Sequence, residues 1–394
     1  MRALHAHNVH RGLGGSDTTT AATIGVLRER GVEVDEFVRH SRDLPANLGG
    51  KLTAFVRGMY SSEAVREFER VLAERRPDIV HVHELYPLIS PWILPACARA
   101  KVPVVMTCND FRLSCPIATH YSHREMCYRC LGGREYWCVL RNCRGSVPES
   151  IAYAARGASA RRFGLFDHNV DTFLTISDFQ RDFFTARLGI EPARVAVNYC
   201  AIVVPPQPVD DPGAGTYVGF AGRFAYEKGV DVMVEACRMA GLPMRFAGDA
   251  PQHPAIRPGD DASFVMTKSP AELAKFYREA RVIVVPSTWT EAFGIVPAEA
   301  MSHGIPVVAS RLGALDGTVV DGKTGLLATA GDAADFAEKI SRIWNDRDLA
   351  RRLGRGAREH VVANFSRQAH FDRLMAIYAR AIERNAAGAS IPAN

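Results

Sequence analysis

The stretch 284–328, VVPSTWTEAFGIVPAEAMSHGIPVVASRLGALDGTVVDGKTGLLA, decides the fold predicted for this chain. It begins in an apolar strand, and a second apolar strand follows at 306–310 after a loop and the start of a helix. Pro297 suits the first position of that helix, where a missing backbone N–H costs nothing. The pattern therefore predicts that Glu299 lies in the first helical turn and Glu291 in the loop before it.

A strand, a glycine-bearing loop and a helix N-terminus together favour a phosphorylated ligand, because unpaired backbone N–H groups and the helix dipole point towards it. The two carboxylates in this connection would weaken a site for bare phosphate. Carboxylates do accept hydrogen bonds from hydroxyl groups, such as those of a ribose or a sugar. The connection therefore predicts a ligand that carries both a phosphate and hydroxyls.

Length and composition predict an ordinary protein of two to three domains, with 394 residues, 47% hydrophobic and 23% charged. The 48 basic and 43 acidic residues give a net charge of +5. That excess is too small to indicate a nucleic-acid partner, but it permits contact with an anionic surface. The N-terminal residues lack an apolar signal core, and no apolar run reaches the ~18 residues of a spanning helix. We therefore expect a cytoplasmic protein, with peripheral contact to the inner face of the membrane left open.

Strands alternate with helices in both halves of the chain, which predicts parallel, doubly wound sheets. The prolines of 203–213 suit a semi-rigid linker, and the pattern starts again at 217. The predicted fold is α/β, with two Rossmann-like domains, 1–205 and 213–367, that face a central cleft at the carboxyl ends of their strands. Helices are predicted at 18–30, 62–76, 151–167, 178–188, 230–240 and 270–280, with Ser177 as a cap for the fourth.

Arg223 and Lys228 lie five residues apart in the loop after the first strand of the second half. Arginine offers a planar fork for phosphate, and lysine offers a point charge. An isolated pair of this kind is usually two solvated surface cations. Here the pair is expected at the same strand-end face as Glu291 and Glu299, which favours a role in binding.

The chain resembles the family 4 glycosyltransferases of the retaining GT-B class. In the first half the resemblance is looser, and it is carried by Gly14-Gly15, by DIVHVH (78–83) and by TIS (175–177). In the second half it is close, and it is carried by GR (222–223), EKG (227–229), AGD (247–249), PS (286–287), the run 291–310 and DGKTGLL (321–327). It implies a hexosyltransferase-type enzyme of polysaccharide or glycoconjugate biosynthesis, with a C-terminal helix at 368–384 that returns to the first domain.

The resemblance also implies roles for individual residues. Arg223 and Lys228 would hold the diphosphate of a UDP- or GDP-linked sugar, Glu299 the ribose hydroxyls and Glu291 the hydroxyls of the transferred sugar. Backbone groups of five residues would face the donor: Gly14, Gly15, Phe293, Gly294 and Ile295. The nucleobase of the donor would lie along residues 266–269, which include Lys268.

Departure of a nucleoside diphosphate leaves negative charge that a cation must stabilise. Arg223 and Lys228 can do this without a metal, since the only Asp-x-Asp triplet, 346–348, lies in a charged helical region. Glu291 could instead be a nucleophile, but the resemblance implies attack by the acceptor on the face that the diphosphate leaves.

Two substitutions depart from the family pattern. Asn109 stands where family members have a histidine near the reacting sugar, and Tyr199-Cys200 replaces an Asn-Gly turn. Asparagine can bond to a sugar hydroxyl but cannot titrate. A nucleotide-sugar-binding protein with weak or no transfer is therefore the alternative function. A phosphorylase would need a pyridoxal phosphate lysine that the sequence does not place, and the glycines at 12–15 lack the dinucleotide fingerprint of an oxidoreductase.

The segment 108–143 is a cysteine-rich insert in the first half. Cys127, Cys130, Cys138 and Cys143 have spacings that suit a structural zinc ion, while disulfides or reduced thiols are the alternatives.

The acceptor, whether glycan, lipid-linked or small molecule, is expected mostly on the first half. The basic segment 156–163 has two interpretations. It could favour an anionic or membrane-linked acceptor, or it could be an ordinary amphipathic helix. His81 and His83 point to the same face of a strand. They could form a metal pair, or they could be buried or cleft-lining histidines.

Overall fold

Two six-stranded parallel sheets form the framework of the molecule in this computed structural model, which describes residues 1–12, 14–248, 253–266 and 269–387. The first sheet has the order β2-β1-β3-β4-β7-β8, and a separate hairpin, β5-β6, lies in the cysteine-rich insert. The strands are β1 (Arg2–Val9), β2 (Glu33–His40), β3 (Ile79–Val82), β4 (Val104–Cys108), β5 (Tyr121–Ser122), β6 (Glu125–Met126), β7 (Thr172–Thr175) and β8 (Val195–Val197).

Seven helices accompany these strands among the described residues of the first half. They are α1 (Gly15–Glu29), α2 (Leu48–Met59), α3 (Ser62–Arg75), α4 (Leu94–Ala100), α5 (Tyr136–Leu140), α6 (Val147–Arg162) and α7 (Asp178–Leu188). As predicted, Ser177 caps α7, because its hydroxyl accepts a hydrogen bond from the backbone N–H of Gln180 at 3.1 Å.

The second sheet has the order β11-β10-β9-β12-β13-β14. Its strands are β9 (Tyr217–Ala221), β10 (Met244–Ala247), β11 (Ala262–Val265), β12 (Ala280–Val285), β13 (Val307–Ser310) and β14 (Gly325–Ala328). The helices are α8 (Val230–Ala240), α9 (Pro270–Glu279), α10 (Ile295–Ser302), α11 (Leu315–Thr318), α12 (Ala333–Asn345), α13 (Arg347–Asn364) and α14 (Arg367–Ala386). β9, β13 and β14 are buried along their whole length, as expected for a parallel sheet covered on both faces.

Helix α10 begins earlier than the sequence predicts. Its first residue is Ile295, so Pro297 is the third residue rather than the first, and Glu299 lies beyond the first turn. The reason is Gly294, whose φ of +95° lets the chain turn into the helix two residues sooner. Pro297 is tolerated there because the first four N–H groups of a helix have no acceptor within it. Helices α1 and α6 likewise begin at Gly15 and Val147, ahead of the predicted 18 and 151.

Helix α14 packs against the first sheet, far from its sequence neighbours. Its apolar face is buried in one cluster with residues of β1, α1, β3, β4 and β7. A separate cluster joins the two halves, because Ile176, Cys200 and Ile202 pack together with Phe293 and Phe365. These contacts fix the two sheets around a shared cleft. Within the described residues, no helix is long and apolar enough to cross a membrane.

Candidate functional site

A cavity of about 360 Å³ lies between the two halves. The first half contributes the start of α1 and the loop after β4, and the second half contributes the loops after β9 and β12 and the start of α10. Predicted site residues that line it are Gly15, Asn109, Arg223, Lys228, Glu291, Phe293, Gly294 and Ile295. The structure therefore brings most of the predicted residues to one cavity.

Lys228 and Glu291 form an ion pair inside this cavity. The Lys228 Nζ lies 2.7 Å from Oε1 of Glu291, and the same oxygen accepts hydrogen bonds from Ser287 Oγ at 2.8 Å and Trp289 Nε1 at 3.0 Å. Sequence reasoning gave the lysine and the glutamate to different parts of a donor. The structure shows that they are direct neighbours, so a ligand that engages either one meets both.

Gly229 explains why these two loops meet. Its φ is +67°, and an added Cβ would lie 2.0 Å from the carbonyl oxygen of Pro286. The loops are also joined by the backbone, because the N–H of Thr288 donates to the carbonyl of Glu227 at 2.9 Å. A glycine after Lys228 thus permits the close approach that sets the Lys228–Glu291 distance.

The second predicted cation, Arg223, is held more loosely. Its side chain is 65% exposed and contacts Glu227 at 3.5 Å across one turn. An exposed pair of this kind contributes little to stability. The guanidinium is therefore free to turn towards an anion in the cavity.

The start of α10 also faces the cavity. Ile295, Val296 and Pro297 line it, and the N–H groups of the first turn of a helix lack partners within the helix. Gly15 of the first half approaches the same point, since a Cβ there would lie 3.5 Å from Cδ1 of Ile295. Backbone donors that can bind an anion are thus present at this junction.

Two of the predicted donor-binding residues lie elsewhere. Gly14 and Glu299 are not among the residues that line the cavity. The Glu299 carboxylate accepts a hydrogen bond from the Tyr277 hydroxyl at 2.9 Å, and burial raises the pKa of Glu299. Lys268, predicted beside the base, lies outside the described residues.

Asn109 lies at the floor of the cavity. Its Oδ1 accepts a hydrogen bond from Thr19 Oγ1 at 3.3 Å, while its buried Nδ2 has no partner among the described residues. An amide N–H directed at a ligand hydroxyl is the kind of donor that such a position can offer.

A buried histidine cluster lies beneath Asn109. His5 joins the predicted pair His81 and His83, because His5 and His81 are opposite each other in the β1–β3 register. This register is the signal that would have found His5. The Nδ1 of His5 lies 3.0 Å from Nε2 of His83, and both nitrogens of His81 are bonded, one to Tyr378 and one to Thr107, each at 2.6 Å.

The cluster has the ligand atoms of a metal site, with one nitrogen from each ring within 4.8 Å of the others. However, both nitrogens of His5 and of His81 already have hydrogen-bond partners. Burial lowers the pKa of His5 to about 3 and holds those of His81 and His83 well below 6.5. We interpret the cluster as a neutral hydrogen-bonded network that supports the loop carrying Asn109.

The loop after β4 carries a charged group that sequence reasoning missed. Arg112 donates hydrogen bonds to both carboxylate oxygens of Asp110 and forms an ion pair with the buried Glu84 at 2.5 Å. Asp110 lines the cavity between the halves. These residues directly follow the carboxyl ends of the neighbouring strands β3 and β4, which was the available signal.

The four cysteines predicted to bind zinc form no disulfides in this structure, and Cys138 is buried while Cys127, Cys130 and Cys143 are partly exposed. Burial raises the pKa of Cys130 to about 12, and Cys115 and Cys143 nearby contribute. Among the described residues, the set that converges as metal ligands is the histidine cluster. The zinc site stays a prediction.

The Asp-x-Asp triplet includes a helix cap. The Asp346 side chain caps α13, because it accepts a hydrogen bond from the backbone N–H of Leu349.

Two facing α/β units around one cleft define the GT-B class, and solved structures of this class superpose on the chain. Sucrose-phosphate synthase from Thermosynechococcus elongatus does so with a TM-score of 0.68 at 21% identity, covering 96% of this chain and 99% of that one. Anabaena HepE in complex with UDP and glucose has a TM-score of 0.63 at 16% identity, covering 96% and 100%. At these identities the likeness shows the fold, which confirms the predicted fold class.

Sequence comparison gives the family. Residues 207–360 match the family described as Glycosyl transferases group 1, and residues 14–201 match the Glycosyl transferase 4-like domain. The second half of the chain thus matches the group 1 glycosyltransferases, and the first half matches a glycosyltransferase 4-like domain. The D-inositol 3-phosphate glycosyltransferase of Stackebrandtia nassauensis is 32% identical over 196 residues, which cover 44% of this chain and 44% of that protein. The matched segment thus spans less than half the length of this relative.

Proposed function

We propose that the protein transfers a sugar from a nucleoside-diphosphate sugar to an acceptor with retention of anomeric configuration and without a catalytic metal, as a family 4 enzyme. The observation that carries the proposal is the Lys228–Glu291 pair beside the start of α10. A cation and helix N–H groups suit a diphosphate, and an adjacent carboxylate suits sugar hydroxyls. The UDP and glucose of the HepE structure are consistent with such a ligand.

The proposed mechanism assigns one task to each group. Lys228 and Arg223 stabilise the charge that develops on the leaving diphosphate. Glu291 accepts hydrogen bonds from the transferred sugar. The acceptor hydroxyl attacks the anomeric carbon on the face that the diphosphate leaves, and a phosphate oxygen takes the acceptor proton.

The first test is a panel of UDP-, GDP- and ADP-linked sugars. A bound ligand stabilises the folded protein by RT ln(1 + [L]/Kd), so the correct donor raises the melting temperature. Release of nucleoside diphosphate upon addition of acceptors supports the transferase. A donor that binds tightly and is never turned over supports the alternative, a nucleotide-sugar-binding protein, which the replacement of the family histidine by Asn109 favours.

Glu291→Gln is expected to lower kcat/KM for the donor by about 10-fold to 100-fold, because a hydrogen bond to a charged group contributes about 1.5–3 kcal/mol. The glutamine keeps the size of the side chain but loses the charge that pairs with Lys228. Steady-state donor hydrolysis and transfer measure the effect. Glu279→Gln, at an exposed ion pair on α9, is the matched control. Unchanged kinetics in Glu291→Gln would remove the glutamate from the mechanism.

We further propose a cytoplasmic location with peripheral contact to anionic membrane. Leu48, Leu52 and Val56 repeat every fourth residue along α2, Tyr60 follows directly at its C-terminal end, and the four are 52–82% exposed, so they form one apolar stripe. Together with the net charge of +5, the stripe favours an anionic lipid surface.

The double change Leu52→Glu and Val56→Glu is expected to weaken binding to phosphatidylglycerol vesicles at least about tenfold, because burying a large aliphatic side chain is worth about 1.5–3 kcal/mol. Co-sedimentation measures the binding. Met239→Glu, which changes an equally exposed residue on α8 of the other half, should leave it unchanged. Equal binding by all variants would rule out the α2 stripe as the contact.

A further inference from the structure

A second cavity, of about 200 Å³, lies in the first half on the other side of the loop 109–118. The loop after β3, the loop after β4, helix α6 and the cysteine-rich insert enclose it. Arginines dominate its charged lining: Arg112, Arg156, Arg161 and Arg187, against the carboxylates Glu135 and Asp167. This cavity takes no part in the proposed donor site.

Arg156 differs from Arg112 and Arg161 of this lining, which have carboxylate partners. Its guanidinium lies over the rings of Tyr86 and Tyr153, 4.0 and 4.3 Å from their centroids. By contrast, Arg112 is bonded to Asp110 and Glu84, and Arg161 to Glu135 at 2.8 Å. No carboxylate of the described residues forms an ion pair with Arg156. It is therefore a partly buried cation that lies against two aromatic rings and has no ion-pair partner among the described residues, although Glu84 is near enough to act on its charge.

Such an arrangement is unfavourable unless a counter-ion arrives, because a cation removed from water needs compensating charge. Burial is the main cause that lowers the pKa of Arg156, and the charge of Arg112 also lowers it, while Tyr86, Tyr153 and Glu84 act in the opposite direction. Stacking on two rings leaves the edge of the guanidinium free, and that edge presents the parallel N–H groups that match a phosphate bidentately. The cavity is thus preorganised for an oxyanion.

The position of the cavity relates it to the acceptor. Tyr86 and Arg112 follow the carboxyl ends of β3 and β4, and Asp110, which Arg112 binds through both oxygens, lines the donor cavity. One loop therefore separates the two cavities. A molecule with one end at Arg156 can extend along this loop towards the proposed position of the transferred sugar.

We infer that Arg156, between Tyr86 and Tyr153, binds a phosphate group carried by the acceptor. The inference rests on the proposed function and names the substrate class: a phosphorylated sugar or polyol, or a lipid with a phosphate headgroup. The basic segment 156–163 thus has a function at its first residue, beyond forming an amphipathic helix.

The direct experiment measures binding of inorganic phosphate, with the donor cavity saturated by the nucleoside diphosphate that stabilises the protein best. Arg156→Ala is expected to weaken phosphate binding about 10-fold to 100-fold, as for a lost hydrogen bond to a charged group, and Arg156→Lys by less, since the charge remains without the fork. Arg162→Ala, an exposed neighbour on the same helix, is the matched control. Thermal unfolding of each variant shows whether it folds.

A second arm identifies the source of the phosphate. The acceptor assay compares phosphorylated compounds with their unphosphorylated counterparts, such as inositol 3-phosphate with inositol and hexose phosphates with hexoses. The binding assay compares phosphatidylglycerol vesicles with neutral vesicles. Arg156-dependent use of a phosphorylated compound supports a small-molecule acceptor, and Arg156-dependent binding to the anionic vesicles alone supports a lipid-linked one. Phosphate and vesicle binding that Arg156→Ala leaves unchanged would overturn the inference.

These outcomes are separable from the proposed function. Phosphate binding needs no turnover, so it can be observed even if the protein transfers no sugar. Conversely, donor hydrolysis that is intact in Arg156→Ala, with unchanged phosphate affinity, would leave the transferase in place and remove only the acceptor site.

Discussion

Lys228→Ala is expected to lower turnover by about 10²–10³-fold, the usual effect of losing one preorganised group that stabilises developing charge. The lysine lies 2.7 Å from Glu291 and 5.1 Å from the centre of the Trp289 ring, so its position is fixed before a ligand binds. The change removes the cation and leaves the Glu291 carboxylate without its counter-charge. Repulsion between that carboxylate and a diphosphate should therefore weaken donor binding as well.

Steady-state release of nucleoside diphosphate, with donor affinity from calorimetry, separates the two effects. Lys275→Ala removes an exposed lysine on α9 that pairs with Glu279 and should behave as the parent protein does. Lys228→Arg keeps the charge and should retain part of the activity. If Lys228→Ala turned over the donor at the parent rate, the lysine would have no part in stabilising the leaving group.

Acid is expected to destabilise the first half of the molecule steeply. Burial lowers the pKa of His5 to about 3 and of His370 to about 4, and holds those of His81 and His83 well below their ordinary 6.5. The unfolded chain takes up protons below pH 6.5 that the folded chain does not, so stability present above that pH is lost as pH falls. Each histidine should contribute a loss of about 2 kcal/mol between pH 7 and pH 5, and four together rival the whole stability of a typical domain.

Denaturant unfolding at pH 7 and pH 5 measures this loss. His370→Gln should reduce the difference between the two pH values by about 2 kcal/mol, whatever it does to stability at either one. His168→Gln, at an exposed position, is the control for the substitution itself. His10 acts in the opposite sense, because hydrogen bonding to Glu84 raises its pKa. A difference that does not respond to His370→Gln would show that His370 titrates alike in both states.

The sequence predicted the two-sheet fold because apolar runs, helical periodicity and caps are local signals. The helix at 178–188 with its cap at Ser177 was found without error. The start of α10 was missed, since the conformation of Gly294 cannot be inferred from its neighbours. The sequence pattern placed the start of α10 at Pro297, whereas Gly294, three residues earlier, determines where the helix begins.

The candidate site was predicted as a set of residues but not as a set of contacts. No local sequence pattern predicts the contact between Lys228 and Glu291, because that contact depends on the packing of Gly229 against Pro286. The role of Arg156 was similarly open. A sequence shows how many arginines a segment has, but only the structure shows whether a given arginine has a carboxylate as its ion-pair partner.

Helix α14 makes the folding of the first sheet depend on the far part of the chain. The Tyr378 hydroxyl bonds to His81 across a separation of 297 residues, and contacts so distant in sequence form slowly. During synthesis the ribosome releases the strands of the first half long before α14 exists. Until then, the apolar face that α14 later covers and the Nδ1 of His81 lack their partners from α14, so the donor half can fold before the acceptor half is complete.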